Sequence, residues 1–179
     1  MSKRTLQGAW LGSLLLLAAA PAWAGDGRLE GFAGYYFAEE LEEDVSFGVR
    51  GGWDFGNGWG LLAAYEMFDT TGEGYGVASN VEGEMSHLEL SFVAYPGGGG
   101  FELFSGLGAT DLDVDIPVPG HIANVDQTEL SIHAGVGYRM VLGDTLYLRP
   151  EVRARVYDAV DETIDITASV ALGFQWNGD

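Results

Sequence analysis

In the stretch YLRPEVRARVYDAV, residues 147 to 160, Arg149, Glu151, Arg153 and Arg155 take alternate positions, and Leu148, Pro150, Val152, Ala154 and Val156 fill the gaps. Successive side chains of an extended strand point to opposite sides. The segment therefore carries a row of long charged groups on one face and an unbroken apolar strip on the other, and a fold must supply a different environment for each. The same period of two recurs along the chain. Eight strands are predicted, at residues 28 to 38, 45 to 55, 59 to 68, 85 to 95, 101 to 109, 128 to 140, 146 to 157 and 163 to 176, each alternating apolar with polar or small residues. They exceed the ordinary soluble strand of about 5 or 6 residues and suit tilted strands of about 9 to 11 residues that cross a bilayer.

The connections alternate too. Gly56 to Gly58, Pro96 to Gly100 and Leu142 to Asp144 are short turns, whereas Glu39 to Asp44, Asp69 to Glu84, Thr110 to Asp126 and Asp158 to Glu162 are polar, acidic and mostly longer. In an up-and-down meander all the short turns fall at one end and all the acidic loops at the other, the asymmetry of barrels with short periplasmic turns and longer external loops. Trp53, Phe55, Trp59, Tyr95, Phe101, Tyr138, Phe174 and Trp176 collect beside the short turns. They are expected to form an interfacial girdle, because aromatic rings favour the boundary between hydrocarbon and water.

Residues 1–24, MSKRTLQGAWLGSLLLLAAAPAWA, combine a basic start, a short apolar run and Ala22-Trp23-Ala24. This is the pattern of a secretory signal peptide cleaved after Ala24, leaving residues 25–179 as one barrel domain. There is no cysteine, so no disulfide framework is available. Six arginines and no lysine remain after the leader, against 27 acids. A surface this acidic repels nucleic acid and anionic head groups, and nucleic acid is excluded as a partner.

Alternation alone does not say which face is inside, since a soluble lipocalin-like barrel shows it with the faces reversed. The composition of the polar face decides. Gly48, Gly52, Gly60, Gly106, Gly108, Gly135, Gly137 and Gly173 lie there, and glycine weakens a solvated strand without return. In a narrow interior filled by side chains, small residues make room for large ones. The large ones are of both signs: Arg50, Arg139, Arg149, Arg153 and Arg155 with Glu66, Glu89, Glu102, Glu129, Glu151 and Asp165. Buried charges require partners, and arginine grips a carboxylate by two prongs. The charged row of residues 147 to 160 is thus expected inside and its apolar row against lipid, with Arg149, Arg153 or Arg155 bridging to Glu129, Glu151 or Asp165.

On these strands and loops, on "YLRPEVRARVYD" and on the closing "ITASVALGFQW", the chain resembles the small eight-stranded outer-membrane β-barrels of the OmpA and OmpX kind over about residues 27 to 176. The resemblance implies an all-β, antiparallel up-and-down transmembrane barrel of Gram-negative type in the cell outer membrane. It implies a monomer, with outer-membrane lipids and, during biogenesis, the barrel-assembly machinery as partners. Such barrels often end on an aromatic residue used in assembly, whereas here Asn177-Gly178-Asp179 follow Trp176.

Two strands carry residue types of a serine hydrolase, Glu129, Ser131 and His133 on one and His87, Glu89 and Ser91 on the other. Neighbours two apart on a strand are separated by roughly 6.5 to 7 Å, too far for a hydrogen-bonded chain without help from other strands. Polar interior packing is expected of both sets. Asp111, Asp113 and Asp115 begin like a calcium loop, but Ile116 and Ile122 stand where glycine and the closing glutamate are required. His121 is isolated, and Gly97 to Gly100 lacks the lysine and helix of a phosphate loop. No catalytic, cofactor or metal residue is expected, and no external ligand is assigned. The function expected is a non-enzymatic barrel with a charge-plugged interior and acidic external loops, structural or surface-interacting. The alternative is a narrow, porin-like passive channel, and a lipid-modifying barrel enzyme comes after it.

Overall fold

The computed structural model describes residues 25–37, 44–72, 81–118, 121–157 and 164–177. Residues 1–24, where a signal peptide is expected, and the tips of the acidic loops lie outside them. Nine strands follow one another: β1 (Asp26–Phe37), β2 (Asp44–Asp54), β3 (Trp59–Gly72), β4 (Val81–Ala94), β5 (Phe101–Val118), β6 (His121–Tyr138), β7 (Met140–Val141), β8 (Leu146–Tyr157) and β9 (Ile164–Trp176). Each long strand pairs antiparallel with its neighbours, β1 pairs with β9, and β6 pairs with β8 to close the cylinder. The two residues of β7 continue the line of β6 past Arg139, so the wall has eight staves, as the alternation predicts. Closure leaves no long edge strand to template aggregation. No helix among the described residues is long and apolar enough to cross a membrane.

The strands on one side run further than predicted. β5 and β6 pair down to Val118 opposite His121, and β3 and β4 pair to Gly72 opposite Val81. Much of what the acidity marks as loop between Asp69 and Glu84, and between Thr110 and Asp126, is therefore strand. The reason lies in Asp111-Leu112-Asp113-Val114-Asp115-Ile116: the period of two continues, and alternating acids are as compatible with a strand in water as alternating apolar residues are with one in lipid. At the other end the turns are tight. Phe55 N–H donates to the Trp59 carbonyl at 2.9 Å, with Gly56 and Gly58 at φ of 73° and 85°, where a side chain would be strained.

The barrel is inside out. Leu107, Leu130 and Ile132 are 67, 72 and 64 % exposed, while Arg50, Glu102 and Arg149 are wholly buried. Outward positions of the long strands are mostly apolar, among them Leu29, Val49, Phe92, Leu103, Val152 and Leu172. A belt of this kind is stable only where hydrocarbon covers it, since soluble proteins rarely expose contiguous apolar patches beyond a few hundred Å². The inward glycines make the room expected of them: a Cβ on Gly135 would overlap the Phe104 ring, and one on Gly173 the Tyr147 ring. Some inward positions are apolar, and Leu62, Val93 and Phe104 cluster with Tyr95 near the short-turn end.

Candidate functional site: the arginine and carboxylate ladder

All six arginines that follow residue 24 point into the lumen and meet carboxylates there. At the short-turn end Arg139, placed where β6 gives way to β7, donates to Asp54 at 3.0 Å and lies 3.3 Å from Glu102. Arg28 from β1 donates to Glu102 at 2.8 Å and stands 3.8 Å from Asp54. Arg149 from β8 bonds the second oxygen of Glu102 at 2.6 Å and also donates to Glu151. Glu151 is the hub, because Arg50 from β2 and Arg153 from its own strand donate to it as well. Glu30 lies 3.3 Å from Arg50 and 3.6 Å from Arg149, and it accepts from the Tyr147 hydroxyl at 2.8 Å.

Arg153 carries the chain upward to Glu89, and Arg155 donates to Glu89 and to Glu66, each at 2.8 Å. Six arginines and six carboxylates (Glu30, Asp54, Glu66, Glu89, Glu102 and Glu151) thus form one connected ladder whose formal charge is zero. Aromatic rings plate it: Arg50 lies over Phe32 at 4.3 Å, Arg149 and Arg153 over Phe104 at 5.3 and 5.5 Å, and Arg139 over Tyr95 at 5.3 Å. Such contacts are worth about 0.5 to 2 kcal/mol each, more when desolvated.

The expected bridges from Arg149 and Arg153 to Glu151 are present. Arg155 binds Glu66 and Glu89 instead. Glu129 is half-buried and Asp165 is buried, accepting from the Tyr36 hydroxyl. Three members were missed: Arg28, Glu30 and Asp54. The signal for the first two was the alternation Arg28, Glu30, Phe32, Gly34, Tyr36, which two inward aromatic residues blur. Tyr95 is a correction to the aromatic girdle, since its hydroxyl donates to Asp54 and its ring lies under Arg28 and Arg139. Burial of charge draws it inward from the interface. Trp59, Phe101, Tyr138 and Phe174 are exposed at that rim as expected.

Beside the upper rungs of the ladder, the two sets of hydrolase-like residue types are divided among different partners. His133 of β6 reaches across β5 to Ser91 of β4, with the hydroxyl 2.7 Å from Nε2. Gly106 makes this possible, being the register partner of both residues. His87 contacts the Thr110 hydroxyl at 2.8 Å. Glu89 is 3.9 Å from His133 Nδ1, and its oxygens receive Arg153 and Arg155. Ser91, His133 and Glu89 are each at most 3 % exposed. Asp111 accepts from the Thr128 hydroxyl at 3.0 Å across a paired strand, which is not the geometry of a calcium loop. Among the described residues no three acidic, histidine or cysteine side chains converge to hold a metal ion.

Solved structures with this architecture include Ail, the attachment invasion locus protein of Yersinia pestis, in complex with the heparin analogue sucrose octasulfate, at a TM-score of 0.58 and 14% identity over 86% of this chain and 100% of that one. A major outer membrane protein from Thermus thermophilus matches at 0.58 and 11%, covering 84% and 99%. The N-terminal β-barrel domain of Pseudomonas aeruginosa OprF matches at 0.52 and 17%, covering 85% and 99%. No family model and no curated protein matches the sequence. The fold is that of the small eight-stranded outer-membrane β-barrels.

Proposed function

We propose that this chain is a non-enzymatic, monomeric outer-membrane barrel whose lumen is sealed by the arginine and carboxylate ladder and whose contacts are made through its acidic outer rim. The observation that carries the proposal is the ladder itself: six guanidiniums and six carboxylates from β1 to β5, β8 and the Arg139 link tie the staves together across the lumen. A lumen so filled favours mechanical support and surface contact over passage. Ser91 and His133 are buried in it and hydrogen-bonded to each other, as packed polar groups are.

The rim gives the surface role its sign. Residues 38–44, 68–84, 111–127 and 157–163 hold sixteen acids and no lysine or arginine. The Ail structure contains a polyanion; a rim of this composition repels polyanions and favours cationic partners. The seal is tested by recording from purified, folded protein in planar bilayers. The parent is expected to be silent, and Arg153→Ala with Glu151→Ala to leak. Steady conductance from the parent, unchanged by the double replacement, would favour a narrow channel.

A further inference from the structure

The lipid-facing wall carries a groove of about 640 Å³. Its line follows one register row around the barrel: Phe101 pairs with Tyr138, Tyr138 faces Pro150, Pro150 pairs with Val170, and Val170 with Ala33. Two local causes produce it. Ala33, Pro150 and Ala168 are smaller than Tyr35, Val152 and Val170 beside them, and the ladder between β6 and β8 lapses at Pro150. Pairing stops at Gly137 opposite Glu151 and resumes in the same register at Met140 opposite Leu148. Proline has no N–H to give at that position, while on the other side of the strand Arg139 N–H donates to the carbonyl of Gly100, just before β5, at 2.6 Å.

Strands in such barrels tilt by about 35 to 45°, so a row at right angles to them climbs the wall. This one starts at the aromatic rim beside the short turns and rises to mid-height at Ala33, whose register partner Phe47 stands exposed just beyond. The groove is continuous with the apolar belt that hydrocarbon covers, and its lower end opens among Phe101 and Tyr138, at the depth where lipid head groups meet aromatic rings. Its volume lies within the roughly 300 to 1,000 Å³ of ordinary ligand pockets.

We propose that this groove holds one acyl chain of a phospholipid from the leaflet on the short-turn side, with the head group at the Tyr138 rim and the chain running over Pro150 toward Ala33. The inference rests on the bilayer placement of the barrel. It is tested with the mature chain folded into bilayers containing a phospholipid that carries a photoreactive diazirine on one acyl chain, with adducts mapped by mass spectrometry. Adducts are expected to be several-fold enriched on the peptides bearing Val152, Ala168 and Ala33 over Leu90 and Leu107, which face lipid outside the groove. Filling the groove with Ala33→Leu and Ala168→Leu, in protein verified as folded by its heat-modifiable gel shift, is expected to abolish the enrichment and leave Leu90 and Leu107 unchanged. Uniform labelling around the belt, enrichment that survives the filling, or cross-links joining two copies through this face would overturn the proposal. Absence of adducts anywhere on the belt would reject the bilayer placement itself.

Discussion

Glu151 shows what a single side chain does in this lumen. Three guanidiniums, from Arg50, Arg149 and Arg153, converge on it. Their mutual repulsion is tolerable only while the carboxylate is charged. Removing one partner of a buried ion pair typically costs about 3 to 5 kcal/mol, because the survivor keeps its desolvation penalty and loses its compensation. Glu151→Gln is therefore expected to destabilise the folded barrel by about that amount, and Glu151→Gln with Arg50→Met by less than the sum of the single changes. Urea unfolding of the four proteins in bilayers measures the coupling, and strict additivity would contradict a shared network. The ladder was partly legible beforehand, because Arg149, Glu151, Arg153 and Arg155 alternate with apolar residues and so share one face, which the glycines and paired charges assign to the interior. Arg28 and Glu30 were not, since Phe32 and Tyr36 share their face and only three-dimensional packing shows that these rings plate the lumen.

At the scale of the strand, the division of faces is a statement about solvent. Val152 lies midway along β8, flanked in register by Val136 and Ala168, and is 49 % exposed to what must be hydrocarbon. Arginine at the bilayer midplane of such a barrel costs about 2 to 4 kcal/mol and far less near the interfaces. Val152→Arg is expected to lose that much stability and Val156→Arg, closer to the end of the strand, distinctly less. Equal and negligible losses would mean that the apolar face is not in lipid. Strand number followed from periodicity and face assignment from the composition of the polar face, but the upper ends of β3 to β6 followed from neither. Period-two acids from Asp111 to Asp115 suit a water-exposed ladder and a solvated loop alike, and the choice between them is made by the partner strand, which no local pattern names. The lapse at Pro150 has the same character: proline is visible in the sequence, whereas its facing Tyr138 and the groove between them exist only once β6 and β8 have closed the cylinder.

On the scale of the whole molecule, charge is sorted by compartment. The ladder sums to zero, so the net charge of −19 resides elsewhere, and sixteen of the 27 acids belong to the end with the longer connections. Outer-membrane barrels keep their short turns in the periplasm, so the acidic end is expected outside the cell. The absence of cysteine makes this directly measurable, because one introduced thiol reports one position. Asn57, exposed in the turn between β2 and β3, marks the short-turn end, and Thr128, exposed beside Asp111 in the half of β6 nearer the acidic loops, marks the other. A membrane-impermeant maleimide should label Thr128→Cys in intact cells and Asn57→Cys only after the outer membrane is permeabilised. The reverse pattern would invert the barrel and place the acidic rim in the periplasm, taking the surface-contact role with it. Labelling of both thiols without permeabilisation would mean that the chain does not span the outer membrane at all.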